Sequence, residues 1–331
     1  LLHGTGVQFV GTTSIGTDHL DIPWLEQAGI PWANAPGCNA DSAAQYTLAM
    51  VWLACQRLGR HPAQLRVGII GRGNVGSRVP KLMQALGAEV VANDPPLAEQ
   101  GESGLVTLDE ALSSDIVCLH VPLTRTGPHP TFRFIGADQL RQIPEESILL
   151  NAGRGDAVEG GALLAHTRNG RLNPALDVWP GEPLLHPDLL ERSVVATPHV
   201  AGYSDDGKRN GTQLVDRAFC KAMGCKPAAM DTSGLMWPEL DLDDSPGTHE
   251  ERISRALDAA CFVAHHDQAL RALSTEPSAL IARGFDRLRK EYPPRRDFHA
   301  WNVRCSHPET ARLLDRLGFS VNRAGPVAFT P

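Results

Sequence analysis

Three side chains that could share one reaction stand just past short apolar runs. Arg154 lies between two glycines in "SILLNAGRGDAV", Glu182 follows a Pro-Gly turn in "ALDVWPGEPLLHPDLL", and His199 follows the run in "VVATPHVAGY". A guanidinium is a planar fork that clamps a carboxylate through two parallel hydrogen bonds. An imidazole exchanges a proton near neutral pH, and a carboxylate beside it holds the ring in register and favours its charged form. Such a set suits hydride exchange with a small 2-hydroxy acid. Arg154 would fix the acid's carboxylate, His199 would take the hydroxyl proton as the hydride leaves, and Glu182 would orient the imidazole. Taken singly each has an ordinary explanation, since the chain has 13 histidines and most turn arginines and glutamates are merely solvated. What gives them weight is that all three converge on the carboxyl edge of one sheet.

The acceptor for a hydride is suggested by "RVGIIGRGNVGSRV", where Gly71-x-Gly73-x-x-Gly76, with Asn74 and Val75 inside it, sits where an apolar strand gives way to a helix. A second strand, "AEVVAND", ends in Asp94, 18 residues past Gly76. That context is the dinucleotide fingerprint: the glycines allow a tight turn and close approach to a pyrophosphate, whose charge meets the N–H groups of a helix start. Asp94 would accept hydrogen bonds from the adenosine ribose and repel a 2′-phosphate, favouring NAD over NADP. Pro80 is expected to kink the following helix beyond its first turn.

The elements that must position these residues can be read from the apolar pattern. Strand-like runs at 66–70, 88–94, 115–121, 147–152, 175–179 and 193–198 alternate with helical stretches. Continuous Val, Ile and Leu runs of that kind indicate a parallel sheet buried on both faces, a doubly wound α/β Rossmann unit with ligands at the carboxyl ends of its strands. Upstream lies a β-turn-α-β rhythm, then a helix over 41–58; a helix over 205–224 is expected to return to that first segment. The reading is a nucleotide-binding unit, 42–202, inserted between the halves, 1–41 and 203–226, of a substrate-binding unit. A proline-bearing, acidic linker spans 227–246. A small α+β unit follows over 247–331, with helices at 250–272, 277–291 and 308–319, a strand at 298–305 and a last short strand.

Composition narrows the partners. With 331 residues, 42% of them hydrophobic, the chain can bury more than one core, and a net charge of −7 with pI near 6.0 offers no general attraction for nucleic acid or an acidic membrane. Seven cysteines without a C-x-x-C pair argue against a disulfide framework or zinc site and for a reducing, cytoplasmic setting; no metal is expected. The longest apolar run, 46–55, falls well short of the ~20 residues that cross a bilayer and reads as a buried helix.

The glycine loop with Asp94, "NAGRG", "DVWPGEP" and "TPHVAGY" together resemble the D-isomer-specific 2-hydroxyacid dehydrogenases. "GTDHLD", "APGCNA", "DPP", "PHVAGY" and the C-terminal extension narrow the resemblance to a branch serving pyridoxal 5′-phosphate biosynthesis, whose substrate is a small phosphorylated 2-hydroxy acid. The resemblance implies NAD as cofactor and a flavodoxin-like substrate domain around the Rossmann unit. It implies that Arg154, Glu182 and His199 are catalytic, that Asp94, Val121, Asp177 and Gly202 border NAD, and that Ser14 and Tyr203 touch substrate. It also implies a homodimer made by the C-terminal unit. Relatives often carry threonine at positions 14 and 121, so Val121 would offer NAD only backbone and apolar contact.

Relatives begin with further β-α units, so the chain as written, opening "LLHGTG", is expected to have an incomplete substrate domain, an exposed sheet edge and little activity. The basic stretch "ARGFDRLRKEYPPRR" at 282–296 is expected to be a solvated helix face, with the alternative that it meets a phosphate across a dimer. Two rival readings are a dehydrogenase of another small acid, such as phosphoglycerate or glycerate, and an NADH-sensing binding protein. Retention of a base speaks against the sensor.

Overall fold

A computed structural model describes residues 2–17, 19–168, 170–230, 234–243 and 247–322 of the chain. The first strands, β1 (Val10–Gly11) and β2 (Trp32–Ala33), pair in parallel around α1 (Ile22–Gln27), and α2 (Ala40–Arg57) leads into the main sheet. That sheet is built in chain order from β3 (Arg66–Ile70), α3 (Val79–Ala85), β4 (Glu89–Asn93), α4 (Pro95–Glu99), α5 (Leu108–Leu112) and β5 (Ile116–Leu119). It continues through α6 (Ala137–Gln142), β6 (Ser147–Asn151), α7 (Gly160–Thr167), β7 (Leu172–Leu176), α8 (Pro187–Arg192) and β8 (Val195–Ala196). The strands lie in the order β4-β3-β5-β6-β7-β8, and every pairing is parallel. β5 and β6 are buried at every position, as strands covered on both faces must be. The chain reverses direction across the sheet between β3 and β5, and a crevice opens at the carboxyl ends of strands at such a switch point.

α9 (Asp205–Met223) returns to the first segment as the sequence suggests. Phe219 packs edge-on against Phe9 at 5.4 Å, and Gly11 and Gly211 leave room for Val215 and for the Thr13 carbonyl at the contact. Ser204 caps α9, its hydroxyl accepting from Gly207 N, and Asp205 and Asp206 occupy the first turn where the helix dipole favours anions.

The remaining elements are β9 (Glu239–Asp241), α10 (His249–Cys261), α11 (Val263–Arg271), α12 (Ser278–Lys290), β10 (Asn302–Arg304), α13 (Pro308–Leu317) and β11 (Ser320–Asn322). The strands form a parallel sheet in the order β11-β10-β9. α2 joins this unit to the main sheet. Tyr46, Leu48 and Met50 are fully buried in one continuous core with Ile69 and Ile148 of the sheet and Ile253 and Leu257 of α10. The apolar run 46–55 is therefore the shared core helix. Truncating Leu48 there to alanine would cost about 2–5 kcal/mol.

Local expectations failed where proline and left-handed backbone intervene. α3 does not begin at the glycine loop: residues 73–78 form turns, and the helix starts at Val79 with Pro80 in its first turn. A proline lacks only an N–H that has no partner there, so Pro80 opens the helix and kinks nothing. The stretch 250–272 is two helices, because Phe262 (φ 55°) ends α10 and starts α11. The break turns α11 towards β8 and α12 while α10 stays on α2 and α13. Residues 298–300 are a 3₁₀ turn ahead of β10. The linker expected over 227–246 contains β9, which pairs with β10; its residues 231–233 and 244–246, like 323–331 of the C-terminal unit, lie outside the described residues. No described helix is long and apolar enough to cross a membrane.

Two buried histidines make acid stability measurable. Burial pushes His120, whose ring nitrogens find no partner, down to about 4, and His266 down to about 3. Both folded values lie below the ordinary ~6.5, so below that pH the unfolded chain binds protons that the fold refuses. Stability then falls between about pH 6.5 and 4, by roughly 1.4 kcal/mol per pH unit for each histidine. Urea midpoints at pH 7, 6 and 5 should drop accordingly, and His120→Met should flatten the drop; parallel curves would refute the assignment.

Candidate active site

His199 follows β8 by three residues, in the left-handed region (φ 55°) that side chains adopt only under constraint. The constraint comes from Asp177, one residue past β7 and only 1% exposed. Its carbonyl accepts from His199 N at 2.7 Å. Its carboxylate accepts from the Thr197 hydroxyl (2.7 Å), Val200 N and Ala201 N (both 2.9 Å). Asp177, expected to border NAD, thus clamps the loop that carries the imidazole.

The His199 ring meets Glu182, with Nδ1 to Oε1 at 2.5 Å, and the second Glu182 oxygen accepts from Trp179 N at 3.0 Å. Burial disfavours the Glu182 anion, but the hydrogen bond and charge of His199, the Trp179 N–H and the positive charge of Arg289 outweigh it and hold the carboxyl below its usual value. An ionised carboxylate only accepts, so Nδ1 carries the hydrogen and, in the neutral ring, Nε2 keeps its lone pair.

Arg154 follows β6 in a turn fixed by Asn151, whose side-chain amide donates to Arg154 O (2.9 Å) and whose oxygen accepts from Gly153 N (3.0 Å). Gly155 must be glycine, because a Cβ there would lie 2.0 Å from Trp179 O. Arg154 and His199 open into one cavity of about 330 Å³, together with Ser14, Asn39, Gly202, Tyr203 and Lys208. Glu182 stands behind His199. The Ser14 hydroxyl donates to Gly16 O at 2.8 Å and lies 2.8 Å from the Thr12 hydroxyl. A Cβ on Gly202 would sit 2.2 Å from Asn39 Nδ2, so a larger residue in this wall would displace the Asn39 side chain.

The glycine loop is tight at two of its glycines and open at the third. Gly71 takes φ 88° against the His120 carbonyl and Val121, Gly73 has open space where a Cβ would point, and a Cβ on Gly76 would fall 1.9 Å from Gly71 O. These match the three demands of a dinucleotide turn: the bend, the approach of the ligand and close packing. Asn74 and Gly73 are exposed and Val75 is half-buried against the core. Val121 lies at the switch point beside Gly71. Asp94 caps α4, its carboxylate accepting from Arg72 N (2.7 Å) and Leu97 N (3.1 Å), which leaves a lone pair on each oxygen for a ribose. In Gly76→Ala about 1–3 kcal/mol of overpacking lands on the loop. NADH should then bind roughly 10- to 100-fold more weakly by fluorescence titration; unchanged affinity would remove the loop from the cofactor site.

Sequence reasoning missed Asn151, Asn39, Lys208 and Arg289. Asn39 and Arg289 act on neighbours distant in the chain, Lys208 reaches the cavity only through the packing of α9, and for Asn151 only the two glycines around Arg154 hinted that the turn was tightly packed.

Comparison with known proteins agrees with this geometry. The profile of the D-isomer specific 2-hydroxyacid dehydrogenase NAD binding domain matches residues 39–201, and that of a domain of unknown function matches 235–318. The chain is 42% identical over 313 residues to the erythronate-4-phosphate dehydrogenase of Marinobacter nauticus, covering 92% of this chain and 81% of that one. It is 42% identical over 329 residues to the Cellvibrio japonicus enzyme of the same name, covering 96% and 85%. Among solved structures it is similar to the D-lactate dehydrogenase of Aquifex aeolicus complexed with NAD and lactic acid, with 27% identity, a TM-score of 0.55, and 66% of this chain and 77% of that one covered.

Proposed function

The chain belongs to the erythronate-4-phosphate dehydrogenases, within the D-isomer specific 2-hydroxyacid dehydrogenase family, and from that premise we propose that it oxidises 4-phospho-D-erythronate to (R)-3-hydroxy-2-oxo-4-phosphooxybutanoate in vitamin B6 biosynthesis. The observation that carries the reading is that Arg154 and His199 face one small cavity while Glu182 holds the far nitrogen of the imidazole. NAD, when bound, supplies the hydride acceptor; Gly71, Gly73 and Gly76 would hold its pyrophosphate and Asp94 its ribose. Arg154 grips the substrate carboxylate and draws charge from the adjacent carbon–oxygen bond. His199 Nε2 accepts the hydroxyl proton, and Glu182 stabilises the imidazolium that results. Ser14 and Tyr203 bound the substrate, with Asp177 keeping His199 in place.

Lys208 favours the phosphorylated acid over lactate or glycerate. It puts a second cation on the cavity wall, with Asp205 3.6 Å from its ammonium, and a four-carbon acid with a carboxylate and a phosphate has two anionic ends. The test is to supply the full-length protein with NAD and, separately, 4-phosphoerythronate, erythronate, 3-phosphoglycerate, glycerate and lactate, following nicotinamide absorbance. Reduction with 4-phosphoerythronate above all others is expected. Faster turnover of another acid would reassign the substrate, and NADH binding without any turnover would favour a sensor. We also propose a homodimer formed by the C-terminal unit, with the exposed Met236 and Trp237 of the preceding linker suited to a covered surface. A reducing, cytoplasmic setting fits its seven unpaired cysteines.

A further inference from the structure

We infer that Arg289, in α12 of the C-terminal unit, is a positioning residue of the active site that presents the Tyr203 hydroxyl as a donor to the far end of the substrate. The basic stretch was expected to be a solvated face, and Arg283, Arg287 and Lys290 are indeed exposed. Arg289 departs from them. It is half-buried, and its Nη2 donates to Tyr203 Oη at 3.2 Å. Its guanidinium carbon lies 5.9 Å from the centre of the Tyr203 ring and 5.7 Å from that of Phe285, and its Nε is buried without a hydrogen-bond partner. Tyr292 also packs edge-on against Tyr203 at 5.5 Å. The tyrosine is thus held by two residues of the C-terminal unit.

The chemistry follows from counting donors. A phenol has one hydrogen and an oxygen that accepts. Arg289 has only hydrogens to give, so the Tyr203 oxygen accepts from it and the phenolic hydrogen is left to donate elsewhere. Tyr203 lines the cavity with Arg154, His199 and Lys208, so an anionic group bound there is the acceptor at hand. The same cation is among the charges that keep Glu182 ionised, so one guanidinium bears on a substrate-facing hydroxyl and on the carboxylate behind His199. The C-terminal unit thereby helps to position the active site.

This inference rests on the phosphorylated acid being the substrate, and its test separates the two. The full-length protein and its R289M, R289K, Y203F and R289M/Y203F variants are assayed with NAD and either 4-phosphoerythronate or erythronate. Binding of 4-phosphoerythronate to each NADH complex is read independently by nicotinamide fluorescence. R289M should raise KM and Kd for the phosphorylated acid about tenfold, as loss of a charge-assisted hydrogen bond does. It should lower the preference for the phosphorylated over the unphosphorylated acid by a similar factor and leave NADH affinity within twofold. R289K should recover part of the loss, and the R289M penalty on KM and Kd for the phosphorylated acid should fall below twofold when Tyr203 is already phenylalanine. Equal penalties in both backgrounds, an unchanged preference, or a loss confined to thermal stability would overturn the inference while leaving the substrate assignment standing. A wild-type protein that neither binds nor oxidises 4-phosphoerythronate would overturn both.

Discussion

His199→Asn should lower kcat by roughly 10²–10⁴-fold, the contribution of a positioned general base, while leaving NADH affinity within twofold of wild type. Asparagine is the informative replacement. It is one of the few residues that tolerate the left-handed backbone at φ 55°, and its amide N–H can still donate to Glu182 in place of Nδ1. What it lacks is the second ring nitrogen. Rapid-mixing measurement of NADH formation, with cofactor affinity titrated separately, tells a lost proton acceptor from a lost site. Since the clamp from Asp177 to Thr197, Val200 and Ala201 stays intact, the loop should keep its shape. Turnover near the wild-type rate would mean that some other group takes the proton.

The second large effect is expected at Arg154. Arg154→Met removes both the charge and the fork from the cavity, and a loss of about 10³-fold in kcat/KM for the acid is expected, comparable to deleting a preorganised donor from a site of developing charge. Arg154→Lys keeps the charge but not the two parallel donors, so it should fall between the two. The turn itself should survive. Asn151 binds its backbone, and Gly155 packs against Trp179 irrespective of the side chain at 154. Steady-state kinetics at saturating NAD, with NADH affinity as the control, checks this; equal losses in Lys and Met variants would show that the paired donors and not the charge matter there, and a Lys variant at the wild-type rate would show that charge alone suffices.

Much of this was legible in the chain because a parallel sheet sets its chemistry at a predictable place. Asp94, Arg154, Asp177 and His199 all lie within three residues of a strand's carboxyl end. Apolar runs mark those ends, so an unusual charged residue just beyond one is visible without coordinates. The glycine loop was legible for a related reason, since Gly71 and Gly76 answer steric demands that no other residue meets and Gly73 leaves the approach to the turn open. What stayed hidden depends on contacts across the chain. Asp177 could be placed at a strand end, but not as the clamp of a loop some 20 residues later. Arg289 is one basic residue among several in its helix, and only the packing of α12 near Tyr203 sets it apart. Pro80 was read as a kink because the helix start was placed several residues too early, and the break at Phe262 leaves no mark in the apolar pattern of 250–272.

The central claim is that a guanidinium and an imidazole backed by a carboxylate act on one small acid beside the nicotinamide. The most direct test is a crystal structure of the ternary complex with NADH and 4-phosphoerythronate. It should place the substrate carboxylate on Arg154, the 2-hydroxyl within hydrogen-bond distance of His199 Nε2, and the carbon bearing that hydroxyl against the nicotinamide ring. A substrate bound with its carboxylate away from Arg154, or with its 2-hydroxyl out of reach of His199, would contradict it.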